Sequence, residues 1–109
     1  MKHRPLRVGN LIRDELGALI LRELEFGSAL VTITEVEVDD RLEAAIVKIS
    51  TIPTERAAEA LRLLGDNERR LQRLLHYKIN IKPMPRIRFE HDPGPDKAAR
   101  IEKHLLGGN

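Results

Sequence analysis

Residues 29–51 hold two runs rich in β-branched residues, ALVTITEVEV and EAAIVKIST, parted only by the short turn DDRL. Such runs, so closely joined, pair as an antiparallel hairpin. The second run is regular, with Ala45, Val47 and Ile49 on one face. The first is not. Val31 and Ile33 share one parity, whereas Val36 and Val38 share the other. A regular strand cannot put both pairs on one face, so the pattern predicts a bulge near Thr34-Glu35 that restores a single apolar face.

The flanking segments supply the helices to cover that face. Over residues 5–24, Val8, Leu11, Ile12, Leu16, Leu19, Ile20 and Leu24 recur at three- and four-residue steps. Pro5 suits a first helical turn, and Phe26-Gly27-Ser28 ends the helix. Pro53 opens a second helix carrying Ala57, Ala60, Leu61 and Leu64, and a third carries Leu71, Leu74 and Leu75. Between them Gly65, Asp66 and Asn67 interrupt an apolar stripe that keeps its register, because Leu64 and Leu71 are seven apart. We expect a kink over Gly65, Asp66, Asn67 and Glu68, with Asp66 or Asn67 capping the third helix. PRIRFE is a third strand, with Ile87 and Phe89 inward and Arg86, Arg88 and Glu90 outward. HDPGPD is a turn, and PDKAARIEKHLL predicts a final helix. The expected class is α+β, ordered α-β-β-α-α-β, with a three-stranded mixed sheet covered on one face by helices, plus a C-terminal helix. At 109 residues one domain is expected: residues 1–92 as the folded unit, and 93–109 as a C-terminal turn and short helix or tail.

Several kinds of chemistry find no support. Cysteine is absent, which removes disulfides, thiolate nucleophiles and Cys-based zinc sites. The four histidines are scattered, and the two serines lie outside any nucleophile-elbow context. His91, Asp92 and His104 match no known ligand spacing, so no metal is expected. Phosphate-binding glycine motifs are missing, so no nucleotide cofactor is expected either. No signal or membrane span is readable. The expectation is a non-enzymatic, cytoplasmic, monomeric protein.

Net charge is only +2 but unevenly placed. Residues 1–13 carry +4, 14–61 carry −7, 62–88 carry +6 and 89–109 carry −1. That asymmetry can make one face that attracts phosphate and another that repels it. On the third helix, Arg69, Arg70 and Arg73 fall opposite the leucines, with Tyr77 beside them. A solvated face would look the same. Lys78, Lys82, Arg86 and Arg88, with few acids nearby, favour a contact surface for nucleic acid. Only three aromatics exist, Phe26, Tyr77 and Phe89, too few for base-stacking on a sheet. Backbone contact by arginine and lysine remains.

The element order resembles a type II KH domain, an RNA-binding fold with a Gly-x-x-Gly loop between its second and third helices. No Gly-x-x-Gly occurs here. That departure, with the strings RVGNLIRDELGALILREL, LVTITEVEV, LEAAIVKIS and KINIKPMPRIRFEHD in order, resembles the ribosome-binding factor A family over about residues 4–90. The resemblance implies a KH-type fold with a kinked helix junction at an Ala-x-Gly. It also implies an assembly factor, without chemistry of its own, that binds the immature small (30S) ribosomal subunit. Its implied partners are 16S rRNA and neighbouring ribosomal proteins, and its implied role is late rRNA processing and subunit maturation. Matching back from Pro85 without gaps puts the family's Ala-x-Gly on Asn67-Glu68-Arg69, where arginine replaces a bare backbone with a charge. The family's Asp-Pro after the first helix is also missing, and Phe26-Gly27-Ser28 stands there. The RNA-contact candidates are Lys2, Arg4, Arg7, Arg69, Arg70, Arg73, Lys78, Lys82, Arg86 and Arg88, expected on one basic face. The alternatives are a general KH-like binder of single-stranded RNA, and a protein–protein module docking through the acidic hairpin edge.

Overall fold

The computed structural model describes residues 3–94. Lys2 and the expected C-terminal helix lie outside the described residues. The elements are α1 (His3–Glu23), β1 (Leu30–Val38), β2 (Ala44–Ile52), α2 (Ala57–Asp66), α3 (Glu68–Ile79) and β3 (Arg86–His91). The order is the one expected from the sequence. The strands form one sheet in the order β1-β2-β3. The β1–β2 pair is antiparallel and the β2–β3 pair parallel, so the sheet is mixed.

The bulge falls where the parity switch requires it. Ile33 pairs with Ile49 and Glu35 with Lys48, leaving Thr34 extra. Val31 and Ile33 before it, and Val36 and Val38 after it, then oppose Thr51, Ile49, Val47 and Ala45 on one face. The hairpin turn is closed by Asp39, whose Oδ1 accepts from the backbone N–H of Glu43 at 2.6 Å and of Ala44 at 3.1 Å. Leu42 completes it at φ 59°, and burial of its side chain offsets that left-handed conformation.

The core lies between this face and the helices. Ile12, Leu16, Val47, Ile49, Leu64, Leu71, Leu75 and Ile87 are fully buried there. Each such side chain is worth about 1.5–3 kcal/mol of transfer free energy. Helix α1 packs on β1 and α3. Its direction against α3 is pinned at both ends. Arg4 near its start donates from Nη2 to the Lys82 carbonyl beyond α3 at 3.0 Å, and Glu23 at its end meets Arg70 in the first turn of α3 at 2.7 Å. The two helices are therefore antiparallel. Where α1 crosses β1, Gly9 lies so close to the strand that a Cβ would stand 2.9 Å from the Val36 carbonyl oxygen.

Boundaries differ from the sequence reading in three places. Helix α1 begins two residues before Pro5 and ends at Glu23; Gly27, at φ 65°, makes the turn into β1. Between Pro53 and α2 the chain takes one 3-10 turn, Thr54–Arg56. The kink is narrower than expected. Gly65 and Asp66 belong to α2, Glu68 starts α3, and only Asn67 leaves the helix, at φ −106° and ψ 9°.

Candidate nucleic-acid interface

Helix α3 divides its residues as its periodicity requires. Leu71 and Leu75 are buried, while Arg69, Arg73, His76 and Tyr77 are exposed. Those four, with Gln72 and with Met84 from the connection to β3, line an open groove of about 420 Å³. Tyr77 is 84% exposed, so one aromatic face is offered to solvent beside two guanidinium groups. Among the described residues neither Arg69 nor Arg73 has a side-chain hydrogen bond or ion pair. A second groove, of about 430 Å³, lies between α2 and the turn that follows α1. It is lined by Glu25, Glu59 and Asp66 along with Arg56 and Arg62, and Arg56 is paired with Glu59 at 3.3 Å. Its mixed charge suits a polyanion less well than the groove on α3.

Arg70 belongs to a different structure from its neighbours. Its Nη1 donates to Glu23 Oε1 at 2.7 Å, and its Nη2 reaches the Glu23 carbonyl at 3.5 Å and Asn67 Oδ1 at 3.3 Å. Glu23 also accepts from Arg22 Nε at 3.1 Å. The Arg22 hydrogen bond foremost, and then the Arg70 charge, hold the Glu23 carboxyl below its ordinary value against the opposing effect of desolvation. Arg70 thus fastens the end of α1 to the α2–α3 junction, leaving Arg69 and Arg73 to face the groove.

The junction does not cap α3 as expected. Asn67 makes no side-chain bond to the first N–H groups of α3. It points backward instead, donating from Nδ2 to the Leu63 carbonyl at 2.8 Å. The reason is that the helical ladder is barely interrupted. Asn67 N–H is shared between the Leu63 and Leu64 carbonyls, both at 3.2 Å, and Leu71 N–H already bonds to the Asn67 carbonyl at 2.9 Å. A kink this narrow loosens a carbonyl of α2 rather than exposing a fresh helix start.

The other basic residues fall into two groups. Arg4 and Lys82 are brought together by their hydrogen bond, and Lys78 is exposed in the last turn of α3, before Asn80 ends it at φ 43°. Arg7 is exposed on α1. Arg86 and Arg88 do not join this surface. They pair with Ala44 and Ile46, whereas Ile87 and Phe89 pair with the core-facing Ala45 and Val47. Strand alternation therefore turns both arginines to the sheet face away from the helices, and the single basic face expected from the sequence is divided in two. On that uncovered face Lys48 lies 3.0 Å from Glu37, whose hydrogen bond and charge, with Glu35 and Asp92, raise the Lys48 pKa. Nothing in the sequence marks Gln72, His76 or Met84 as part of this surface, because polar helix residues and a loop methionine carry no pattern of their own.

Among the described residues, no group of three or more His, Asp or Glu side chains could hold a metal ion, and no helix is long and apolar enough to cross a membrane.

Known proteins share this outline. The crystal structure of ribosome-binding factor A from Thermus thermophilus superposes with a TM-score of 0.58 at 24% identity, covering 82% of this chain and 92% of that one. A homology model of the Thermus thermophilus protein, fitted into a cryo-EM map of its 30S complex, gives a TM-score of 0.59, also at 24% identity, covering 85% and 96%. At that identity the likeness establishes the KH-like fold. Relatives in sequence go further. Ribosome-binding factor A of Pelodictyon phaeoclathratiforme is 34% identical over 110 residues, covering 98% of this chain and 92% of that protein. Its counterpart in Chlorobium limicola is 36% identical over 108 residues, covering 96% and 91%. A family profile matching residues 4–105 spans the same ground, and by fold, by full-length relatives and by that profile the chain belongs to the ribosome-binding factor A family.

Proposed function

We propose that this protein is a non-enzymatic assembly factor that binds the immature small ribosomal subunit, contacts its 16S rRNA beside ribosomal proteins, and assists late rRNA processing and subunit maturation in the cytoplasm. It acts as a monomer. Family membership supports the partner, as does the 30S complex of the Thermus thermophilus relative. The observation that carries the mode of contact is the groove on α3. Two arginines unpaired among the described residues and an exposed tyrosine line it, and Arg69 stands next to the α2–α3 junction, where KH folds meet a nucleic-acid backbone. Arg69 stands where the family has glycine, so charge replaces close approach at that corner. Arg4, Arg7, Lys78 and Lys82 extend the contact along α1 and the end of α3. Arg86 and Arg88, on the other sheet face, serve a second and separate contact. Lys2, outside the described residues, is a further candidate contact by its charge alone.

Cosedimentation with purified small subunits across a salt series tests this reading. The Arg69→Glu/Arg73→Glu double variant is expected to lose binding at salt concentrations where the wild type is retained. The slope of log affinity against log salt should flatten by roughly 0.7 for each phosphate contact removed. Arg70 is left intact, because its replacement would disturb the helix junction as well as the charge. Equal cosedimentation of the two proteins would overturn the assignment of the groove.

A further inference from the structure

The three aromatic side chains of this protein are placed unequally. Phe26 and Phe89 pack against the core. Tyr77 is 84% exposed, so nearly its whole ring stands in water, and among the described residues its hydroxyl has no hydrogen-bond partner. A lone exposed apolar side chain needs no explanation in itself. What sets Tyr77 apart is its company. Arg69, Arg73 and Tyr77 are all exposed and follow one another at four-residue steps, each about 6 Å beyond the last along α3. The three line one groove, and Met84, half-buried against the core, adds an apolar element to it. Its volume of about 420 Å³ falls within the range of about 300–1,000 Å³ typical of small-ligand sites.

An RNA strand laid along α3 would meet a cation on each of two successive turns and then a ring. Guanidinium groups take phosphate by charge and by forked hydrogen bonds. A tyrosine ring has only its hydroxyl to offer a phosphate. Its face is a flat apolar surface, and the group in RNA that matches it is the face of a nucleobase. Inside an A-form helix those faces are covered by their neighbours in the stack, and side chains reach phosphates, 2′-hydroxyls and groove edges only. A base must be unpaired to turn its face to Tyr77.

We propose that Tyr77 is a stacking platform for one unpaired nucleotide, so that the α3 groove takes a single-stranded or bulged stretch of RNA, with phosphates on Arg69 and Arg73 and one base on the ring. This rests on the reading of the α3 groove as an RNA surface. It adds a selection that phosphate contacts alone do not supply. Every base has a face, so the ring distinguishes unpaired RNA from duplex without distinguishing one sequence from another. The two contributions also differ in their response to salt. Phosphate contacts weaken as salt rises, whereas stacking releases no counterions.

The chain has one tyrosine and no tryptophan, so its intrinsic emission reports on this ring alone. The full-length protein is titrated at low salt with oligo(A) of about eight nucleotides, a length within the site sizes of sequence-tolerant single-strand binders. A long poly(A)·poly(U) duplex serves as the comparison, since it carries the charge without open base faces. Oligo(A) should quench the tyrosine emission, corrected for nucleobase absorption, over the concentrations at which fluorescence anisotropy shows binding. The duplex should bind without quenching. Tyr77→Phe, which keeps a ring, should hold oligo(A) within about twofold of wild type, and Tyr77→Leu should lose about tenfold, the loss of one stacked base. The salt slope of Tyr77→Leu should match that of wild type, and its affinity for duplex should be unchanged. A thermal melt checks that each variant is folded. Unquenched emission at saturating oligo(A), or wild-type affinity in Tyr77→Leu, would overturn the proposal. So would an equal loss on duplex, which would mean a general disturbance of the groove. If Tyr77→Leu weakened cosedimentation with small subunits but not oligo(A) binding, the ring would meet protein instead, and the proposal would fall. Should wild type bind neither RNA, the RNA reading of the groove fails and the platform with it. If binding depends on Arg69 and Arg73 but not on Tyr77, the platform alone fails.

Discussion

Gly9 and Gly65 both lie inside helices, and they do opposite work. Gly9, in α1, is buried against β1, and a methyl group there would stand 2.9 Å from the Val36 carbonyl oxygen. Gly65, in α2, is exposed, and a Cβ would meet nothing within 4 Å. In the sequence the emphasis falls the other way. Gly65 sits beside Asp66 and Asn67 in the middle of a leucine stripe and draws attention as a helix breaker, whereas Gly9 is one small residue in a regular amphipathic pattern. The difference shows where a glycine's importance is decided. At position 9 it lies in what crosses the helix, and no local preference reveals it. At position 65 the only effect is the weak intrinsic cost of glycine in a helix, about 1 kcal/mol.

The largest expected effect is therefore at the α1–β1 crossing. Gly9→Val should destabilise the protein by about 3 kcal/mol, measured by chemical denaturation, because α1 must lift from a backbone atom that cannot turn aside. Gly9→Ala should lose less, about 1 kcal/mol, since alanine's better helix propensity offsets part of the clash. A neutral Gly9→Val would mean that α1 slides freely over β1, and the contrast between the two glycines would vanish.

What the sequence reveals follows the same division. The bulge at Thr34 is legible because a parity switch among four valine and isoleucine residues has only one remedy in a strand. The order of elements and the mixed sheet are legible because each segment carries its own period. The partners of side chains are not. Arg69, Arg70 and Arg73 share one exposed arc in sequence, yet Arg70 is taken by Glu23, which lies 47 positions away. Helical and strand periods likewise place Arg73 and Arg88 correctly on their own elements. They do not say that those elements point the two residues to opposite sides of the molecule.

The junction at Asn67 gives the next prediction. Arg70→Ala should lower the melting temperature more than Arg69→Ala, because only Arg70 joins α1 to the kink. The Glu23 carboxyl should also titrate closer to its ordinary value in Arg70→Ala, as followed by NMR, with the Arg22 contribution remaining. Equal effects of the two substitutions would show that the kink needs no tie to α1.

The bulge beneath the α1–β1 crossing has a pH signature. Thr34 Oγ1 donates to Asp92 Oδ2 at 2.6 Å. That hydrogen bond first, and then the Gly94 N–H and the Lys48 charge, hold the Asp92 carboxyl below its ordinary value of 3.8. A carboxyl whose pKa is depressed by folding contributes stability that is fully present above its unfolded pKa and is lost as pH falls through the folded one. Stability should therefore decline below about pH 4. Thr34→Val should make that decline shallower while lowering stability at neutral pH, in denaturation curves taken across the acid range. An unchanged acid limb would mean that Asp92 takes no part in closing the bulge.

The smallest effect is the most discriminating. Gly65→Ala should raise stability by about 0.5 kcal/mol, the propensity gain reduced by position 65 being next to the end of α2. Cosedimentation with small subunits should be unchanged, because the kink is set by Asn67 and the ties from Asn67 and Arg70 remain. Suppose instead that Gly65→Ala were stable but bound subunits poorly. The added methyl group would then obstruct a bound partner directly, and the bare backbone that KH folds present to nucleic acid would have moved four residues, from Arg69 to Gly65. Glycine at position 65 would in that case be kept for contact and at position 9 for packing. A single conservative substitution thus separates recognition by charge at Arg69 from recognition by close approach at Gly65.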